Sequence, residues 1–251
     1  MHNEHYRREY TKEFVSRWDK LIGWDSRAAS ENGFFHGLLH KHNCRSVADV
    51  AAGTGFHAVM LARQGFDVTA TDGAAEMVEK TRANAVTHGI DLVDIREADW
   101  RDLHRVFSPN SFDALVCLGN AFTHLFEEQA RRDALEAMFE VVRPGGLVVI
   151  DQRNYDKILD QGYSSKSRYY YVGDGVSARP VEIDDSKVRF EYSYADGNKF
   201  HLTMFPLRQN YLTGLLEEAG FRDIERYGDF EPNYDFDDVD FVQQVAFKPR
   251  P

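Results

Sequence analysis

Two glycines at the end of a mostly apolar run are the first residues whose types and spacing suggest chemistry. Gly53 and Gly55 follow the run Val47–Ala52, and a glycine lacks the Cβ atom that would hold a ligand away from the backbone. Asp72 ends the second predicted strand, and an acid at that place in nucleotide-binding α/β folds accepts hydrogen bonds from ribose hydroxyls. A dinucleotide site would have a third glycine where Ala58 stands. The pattern therefore indicates a ligand with a ribose and an amino-acid tail but no phosphate; a turn without any ligand is the alternative.

Polar side chains also follow the later apolar runs. Asp99 and Trp100 come after the third predicted strand, where a carboxylate can meet an adenine amino group and an indole can stack on the ring. Residues 119–124 follow the fourth strand, and residues 151–156 follow the fifth. Ligands of open α/β sheets bind at the carboxyl ends of the strands. These successive polar strand ends therefore predict one shared ligand site.

The elements that must position these residues alternate between helices and strands. Apolar strands separated by helical runs predict a parallel sheet with helices on both faces. We expect an α/β fold of the Rossmann-like kind, with a mostly parallel seven-stranded sheet. The predicted strands are 47–51, 67–72, 92–97, 112–118, 147–151, 223–227 and 240–248, and the predicted helices are 8–22, 30–43, 56–64, 74–88, 127–142 and 208–219.

A segment over residues 155–205 interrupts this alternation. In its stretches Arg168–Val172 and Val188–Tyr194 the character of the side chains alternates along the chain, which is typical of antiparallel strands. Residues 195–198 predict a hairpin turn. We expect this segment to cover the carboxyl edge of the sheet within a single domain. The boundaries that we expect are an N-terminal lid segment at 1–30, a core at 31–154 and 206–251, and a substrate cap at 155–205.

The composition narrows the class of protein. The 251 residues carry a formal net charge of −11 without a lysine- or arginine-rich block, which argues against a nucleic-acid partner. No run approaches the ~18 apolar residues of a membrane span, so we expect no membrane contact. Cys44 and Cys117 lie in apolar surroundings and predict reduced thiols in a cytoplasmic protein. His36 and His40 share a helix face, but no further ligand is obvious, so we predict no metal site.

Two longer motifs make the interpretation specific. They are Leu118-Gly119-Asn120-Ala121-Phe122-Thr123-His124-Leu125 and Asp151-Gln152-Arg153-Asn154-Tyr155-Asp156. With the glycine turn, they resemble the glycine N-methyltransferase family of class I S-adenosylmethionine-dependent methyltransferases. Gly162-Tyr163-Ser164-Ser165 and Met204-Phe205-Pro206-Leu207 are similar to the bacterial glycine/sarcosine branch of that family. The resemblance runs from Tyr10 to the last strand.

This resemblance implies S-adenosylmethionine as the cofactor and S-adenosylhomocysteine as its product. It implies that the glycine turn approaches the methionine portion, that Asp72 takes the ribose hydroxyls, and that Asp99 lies at the adenine. Arg27 would pair with the carboxylate of the cofactor, and a surface salt bridge is the alternative. The cofactor-binding residues that the resemblance implies are Tyr10, Trp18, Arg27, Ala51, Gly53, Gly55, Asp72, Asp99, Trp100 and Leu118.

The resemblance also implies that Asn120 and Arg153 bind the substrate. A guanidinium recognises a carboxylate through two parallel hydrogen bonds, and the amide oxygen of Asn120 can accept an N–H from an amine. Two alternatives stay open: an ion pair of Arg153 with Asp151 or Asp156, and a turn-stabilising role for Asn120.

Tyr192 and His124 are further candidates for the site. We expect only one of Tyr192 and Tyr194 to face it and choose Tyr192, with packing as the alternative. His124 is a candidate general base because histidine titrates near neutral pH, and orienting a loop is its alternative role.

The resemblance therefore implies methylation of glycine to sarcosine and of sarcosine to N,N-dimethylglycine, which are early steps of glycine betaine synthesis. The expected partners are these small-molecule substrates, and the sequence leaves the oligomeric state open. Two alternatives remain: a glycine-only enzyme that acts as a sink for S-adenosylmethionine, and a non-catalytic protein that senses the cofactor.

Overall fold

A seven-stranded, mostly parallel sheet forms the centre of the residues that the computed structural model describes, which are 5–166 and 173–251. The strands are β1 Ser46–Asp49, β2 Asp67–Asp72, β3 Asp94–Glu97, β4 Phe112–Cys117, β5 Val142–Arg153, β6 Val176–Ile183, β7 Val188–Tyr194, β8 Lys199–Met204, β9 Arg222–Gly228 and β10 Phe241–Phe247. The order in the large sheet is β3-β2-β1-β4-β5-β10-β9. Strands β1 to β5 pair in parallel, and β10 pairs antiparallel with β5 and β9. The predicted fold class is confirmed.

Helices cover both faces of this sheet. They are α1 His5–Glu9, α2 Lys12–Ser16, α3 Trp18–Ile22, α4 Trp24–Glu31, α5 Phe34–Lys41, α6 Phe56–Arg63, α7 Ala75–His88, α8 Leu103–Val106, α9 Glu128–Val141, α10 Tyr155–Gln161 and α11 Gln209–Glu218. Val116 and Leu115 of β4 are both fully buried but belong to separate apolar clusters, one on each face. Central strands buried on both faces read as continuous apolar runs, which is why the sequence revealed them. No helix in the described residues is long and apolar enough to cross a membrane.

The N-terminal segment differs from its prediction. The single helix expected over 8–22 is wrong, because the chain there forms α1, α2 and α3. The side chain of Thr11 accepts a hydrogen bond from the backbone N–H of Phe14 and so caps the start of α2. Gly23 ends α3 in a left-handed conformation (φ 62°). The second predicted helix, at 30–43, corresponds to α5, which begins only at Phe34 because Asn32 and Gly33 are left-handed; helix α4 before it was not predicted. Helical spacing of apolar residues does not reveal such interruptions, which let the chain fold back over the sheet edge.

The segment after β5 begins with a helix and continues as a separate antiparallel sheet of β6, β7 and β8. Helix α10 was not predicted. The hairpin turn at 195–198 is confirmed by the backbone hydrogen bond from Tyr194 to Asn198 at 2.9 Å. The predicted strand Arg168–Val172 lies outside the described residues. Phe14 of α2 stacks on Phe200 of β8 with centroids 4.7 Å apart, so the small sheet packs on the N-terminal helices.

Candidate active site

A large cavity opens at the carboxyl ends of β1, β2 and β4. It encloses about 1170 Å³, part of it open to solvent. The carboxyl ends of parallel strands meet at one edge of a sheet, so residues far apart in sequence come together there. The predicted cofactor-binding residues that line the cavity are Tyr10, Trp18, Arg27, Ala51, Gly53, Asp72, Asp99, Trp100 and Leu118. His124 also lines the cavity, and Gly55 is the predicted cofactor residue outside its wall.

The two glycines of the turn before α6 have different surroundings. Gly53 is left-handed (φ 55°), and a Cβ added there would lie 3.6 Å from Nε1 of Trp18. Gly55 has a φ of 91°, and a Cβ added to it would lie 2.9 Å from Cγ2 of Thr81 in α7. The missing side chain of Gly55 therefore lets the turn pack on α7. Gly53, unlike Gly55, lines the cavity, where the missing side chain leaves its backbone uncovered.

Three carboxyl groups lie near the carboxyl ends of β1, β2 and β5: those of Asp49 and Asp151 are buried, and that of Asp72 is half-buried in the cavity wall. Asp72 accepts hydrogen bonds from the backbone N–H groups of Gly53 and Ala74, both at 2.9 Å. Burial nevertheless raises the pKa of Asp72 to about 7. Burial also raises the pKa of Asp49 and of Asp151 to about 6. Because a nearby positive charge favours the ionised form of a carboxyl group, this group of acids suits a cationic ligand.

Asp99 and Trp100 form the wall of the cavity after β3. Although burial acts in the opposite direction, hydrogen bonds from Arg101 lower the pKa of Asp99. The backbone N–H and Nε of Arg101 approach the Asp99 carboxylate at 2.9 and 2.8 Å. The indole N–H of Trp100 donates to the backbone carbonyl of Val50. These contacts fix a carboxylate acceptor and an aromatic ring side by side.

Tyr10 and His124 join the N-terminal segment to the turn after β4. The hydroxyl of Tyr10 lies 3.1 Å from Nε2 of His124, and the ring of Tyr10 packs against Trp18 with centroids 5.2 Å apart. Burial lowers the pKa of His124 to about 4, so the imidazole is neutral at physiological pH. A group with so low a pKa is a weak proton acceptor. The geometry therefore favours the loop-orienting role of His124 over a general base.

Glu31 and His57 are two residues of this site that the sequence reasoning missed. Nε of Arg27 and Nε2 of His57 both approach the same carboxylate oxygen of Glu31, the latter at 2.9 Å. Arg27 and His57 line the cavity, and Glu31 lies buried behind them. The four-residue spacing of Arg27 and Glu31 on a helix is a signal that predicts their contact. The position of His57, on another helix, follows only from the fold.

Asn120 connects the ends of β4 and β5. It is buried and left-handed (φ 62°), and it starts the 3₁₀ turn Ala121–His124. Its Oδ1 accepts the backbone N–H of Arg153 and its Nδ2 donates to the hydroxyl of Tyr155, both at 2.9 Å. Its own backbone N–H donates to Asp151 at 2.9 Å. The turn-stabilising role is thus present, and the same bonds fix the carboxamide next to the end of β5.

Arg153 lines a second, smaller cavity of about 200 Å³, and the described residues around it are not shared with the large cavity. Its guanidinium lies 4.4 Å from the ring centroid of Phe190 and 4.9 Å from that of Phe241. Asp156, one of the ion-pair partners considered for it, lies 3.2 Å from Arg208 in an ion pair. Aromatic faces hold the planar fork of an arginine while leaving its edge suited to a carboxylate.

The expectation that only one of Tyr192 and Tyr194 faces inward is wrong. Both are buried, together with Val188 and Phe190, because residues two apart on a strand point to the same face. The hydroxyl of Tyr194 bonds to the backbone carbonyl of Arg17 at 3.3 Å, and Tyr192 packs against a phenylalanine of α2. Neither tyrosine is in the wall of the large cavity.

Comparison with known proteins decides the family. Residues 47–146 match the methyltransferase domain family. The glycine/sarcosine N-methyltransferase of Aphanothece halophytica is 46% identical over 98% of this chain and 92% of its own length. That of Halorhodospira halochloris is 47% identical over 98% of this chain and 91% of its own length. The chain belongs to the glycine/sarcosine N-methyltransferase family.

Membership of the glycine/sarcosine N-methyltransferase family confirms the predicted methyltransferase activity and S-adenosylmethionine as the cofactor. A solved S-adenosylmethionine-dependent methyltransferase from Clostridium acetobutylicum has a TM-score of 0.73 to this structure. The similarity covers 94% of this chain and 98% of that chain at 16% identity, and it shows the fold alone.

Proposed function

We propose that the protein transfers methyl groups from S-adenosylmethionine to glycine, giving sarcosine, and to sarcosine, giving N,N-dimethylglycine. The observation that carries this proposal is the hydrogen bond at 2.9 Å from the backbone N–H of Arg153 to Oδ1 of Asn120. This bond ties the backbone of Arg153, whose guanidinium could recognise a carboxylate, to the carboxamide of Asn120, which could orient an amine. Both substrates carry a carboxylate and an amine on neighbouring atoms, so this pair of residues suits them.

The large cavity fits the cofactor. The exposed backbone of Gly53 suits close approach of the methionine portion, and the Asp72 carboxylate suits the ribose hydroxyls. Asp99 and Trp100 lie together where the adenine would bind. The buried acids near the strand ends favour a positively charged sulfonium over a neutral ligand.

When bound, the cofactor supplies a methyl group by in-line displacement: the nitrogen–carbon bond forms, the sulfur–carbon bond breaks, and the amine loses a proton to solvent. Arg153 would hold the substrate carboxylate, and Asn120 would turn the amine lone pair toward the methyl group. The leaving group is a neutral thioether that needs no proton, so alignment supplies most of the rate enhancement.

We propose that the N-terminal segment (1–30) and the cap (155–205) close together over the site and exclude water. Both carboxylate oxygens of Glu9 in α1 accept hydrogen bonds from Thr203 in β8, from its N–H at 2.7 Å and its hydroxyl at 2.6 Å. Arg17 forms an ion pair with Asp196 of the hairpin turn. A cytoplasmic location is also proposed, and the free cysteines among the described residues support it.

The test is product analysis by mass spectrometry with glycine, sarcosine or dimethylglycine as the acceptor. We expect Arg153→Ala to lower kcat/KM for glycine by about 10²–10⁴-fold, because two charge-assisted hydrogen bonds are lost. Its affinity for S-adenosylhomocysteine should stay unchanged. Arg208→Ala is the matched control, since it removes an arginine that pairs with Asp156 and Asp160 and lies outside both cavities.

The products separate the alternatives. Sarcosine and dimethylglycine together support the proposal, whereas sarcosine alone indicates a glycine-only enzyme. Binding of S-adenosylhomocysteine without methylation of any of the three amines would indicate a cofactor sensor and would contradict the proposal.

A further inference from the structure

Arg27, Glu31 and His57 form a buried cluster where the large cavity meets the glycine turn. Arg27 is 1% exposed and Glu31 is 8% exposed, and His57 is the second residue of α6. Nη2 of Arg27 lies 3.5 Å from Nε2 of His57, and both side chains contact the cavity. One carboxylate oxygen, Oε1 of Glu31, accepts from both of them. The cluster therefore presents two nitrogen-bearing side chains to the cavity in a fixed relation to each other.

The contacts of this cluster indicate where its hydrogen-bond donors and acceptors lie. Burial by itself would raise the pKa of Glu31, but the charges and hydrogen bonds of His57 and Arg27 lower it. Glu31 is thus a carboxylate, which only accepts hydrogen bonds. The nitrogen that approaches it, Nε2 of His57, must carry a hydrogen. Nδ1 is then the remaining polar atom of the ring, and in the neutral imidazole it is an acceptor.

We propose that His57 is a second contact for the amino-acid tail of S-adenosylmethionine and that Glu31 positions it beside Arg27. This inference rests on the proposed function. The tail carries a carboxylate and an ammonium on one carbon, so it needs donors and an acceptor side by side. Arg27 has only donors and takes the carboxylate. Nδ1 of His57 takes the ammonium.

A packing role alone would not need a histidine at this position. The ring of His57 meets Phe35 and Phe56 edge to face, with centroids 5.4 and 4.9 Å apart. A phenylalanine would preserve these aromatic contacts and the volume of the ring. It would lose the bond to Glu31 and the acceptor for the ligand. The substitution His57→Phe therefore separates packing from ligand contact.

The experiment measures the binding of two ligands by calorimetry. S-adenosylhomocysteine carries the amino-acid tail, and 5′-methylthioadenosine has the adenosine and the thioether without it. We expect His57→Phe to lower the affinity for S-adenosylhomocysteine about tenfold or more, because a hydrogen bond to a charged group is lost. Binding of 5′-methylthioadenosine should change by less than about twofold. His57→Gln, which keeps an amide donor and an acceptor, should restore most of the affinity for S-adenosylhomocysteine.

His36→Phe is the matched control, because His36 is a histidine of α5 outside the cavity wall. It should leave the affinity for both ligands unchanged. If His57→Phe weakens the binding of both ligands equally, the ring has a structural role. If it weakens the binding of neither ligand, the ring makes no contact that matters for binding. Either result overturns the inference. If the wild-type protein methylates glycine in either case, the proposed function stands. If the wild-type protein does not bind S-adenosylhomocysteine at all, the proposed function and the inference fail together.

Discussion

Lowering the pH from 8 to 6 should weaken cofactor binding through Asp72. This side chain is in the cavity wall, where burial raises its pKa to about 7. Ribose hydroxyls would donate hydrogen bonds to it, and such bonds favour the ionised carboxylate. Protonation therefore competes with the cofactor, and the affinity must fall as the pH drops through the pKa of the free protein.

The size of the effect follows from that pKa. A carboxyl group with a pKa of about 7 is roughly nine-tenths ionised at pH 8 and roughly one-tenth ionised at pH 6. If only the ionised form binds, the affinity falls about tenfold, which corresponds to about 1.4 kcal/mol. Binding at pH 7 should also release about half a proton, because the bound state holds Asp72 ionised.

Calorimetric titration with S-adenosylhomocysteine at pH 6, 7 and 8 measures both quantities. Two buffers with different ionisation enthalpies at each pH give the number of protons released. Asp72→Asn should bind about tenfold or more weakly, since a hydrogen bond to a charged group is lost. It should also lose the proton release at pH 7. Asp49 and Asp151, with pKa values of about 6, contribute mainly at the lower end of this range.

Two results would refute this reasoning. One is an affinity of the wild-type protein that stays constant between pH 6 and pH 8. The other is an Asp72→Asn variant that releases as many protons as the wild type, since the titrating group would then lie elsewhere.

Two further predictions concern the turn and the histidine of the site. Gly55→Ala should destabilise the protein by about 2 kcal/mol or more, because its backbone is left-handed and the new Cβ would lie 2.9 Å from Thr81. Thermal unfolding of this variant should show a fall in Tm of several degrees. The control is Gly37→Ala on α5, where no atom lies within 4 Å of the new Cβ, and it should not lower the Tm. His124→Leu should lower kcat/KM about fivefold, because one hydrogen bond to Tyr10 is lost. The pH dependence of kcat/KM between 6 and 8 should keep its shape in this variant; loss of a titrating limb would instead identify His124 as a base.

Local pattern was sufficient for the strands of the large sheet and for most of the predicted cofactor-binding residues that line the cavity. Strand β2 lies at Asp67–Asp72 as predicted, and its four central residues are buried between an exposed Asp67 and a half-buried Asp72. Gly53 follows β1 and Asp72 ends β2, and these two strands are parallel neighbours. The carboxyl ends of parallel neighbours lie at the same edge of a sheet, so the two residues come together there. The sequence therefore identified side chains that now line one cavity.

Local pattern was insufficient where a contact joins distant segments. Gly55 has the same residue type and turn as Gly53, but its role depends on the position of Thr81 in α7. The two tyrosines of β7 share one face, which the period of a strand should have indicated. The division of the N-terminal helix depends on capping at Thr11 and on a left-handed glycine, both of which compete with the helical spacing of the apolar residues.

The sequence by itself determined the fold class and the pattern of the glycine turn, because these depend on residue type and on short spacings, and the candidate pair Asn120 and Arg153 came from the resemblance of its motifs to a known family. Only the tertiary structure decided which side chains share an environment. The tertiary structure places His57 next to the carboxylate of Glu31. It also buries His124, and this burial lowers the pKa of the imidazole to about 4. Burial and long-range contact set the pKa values and the hydrogen-bond partners of a site, and both are properties of the packed chain rather than of any segment of it.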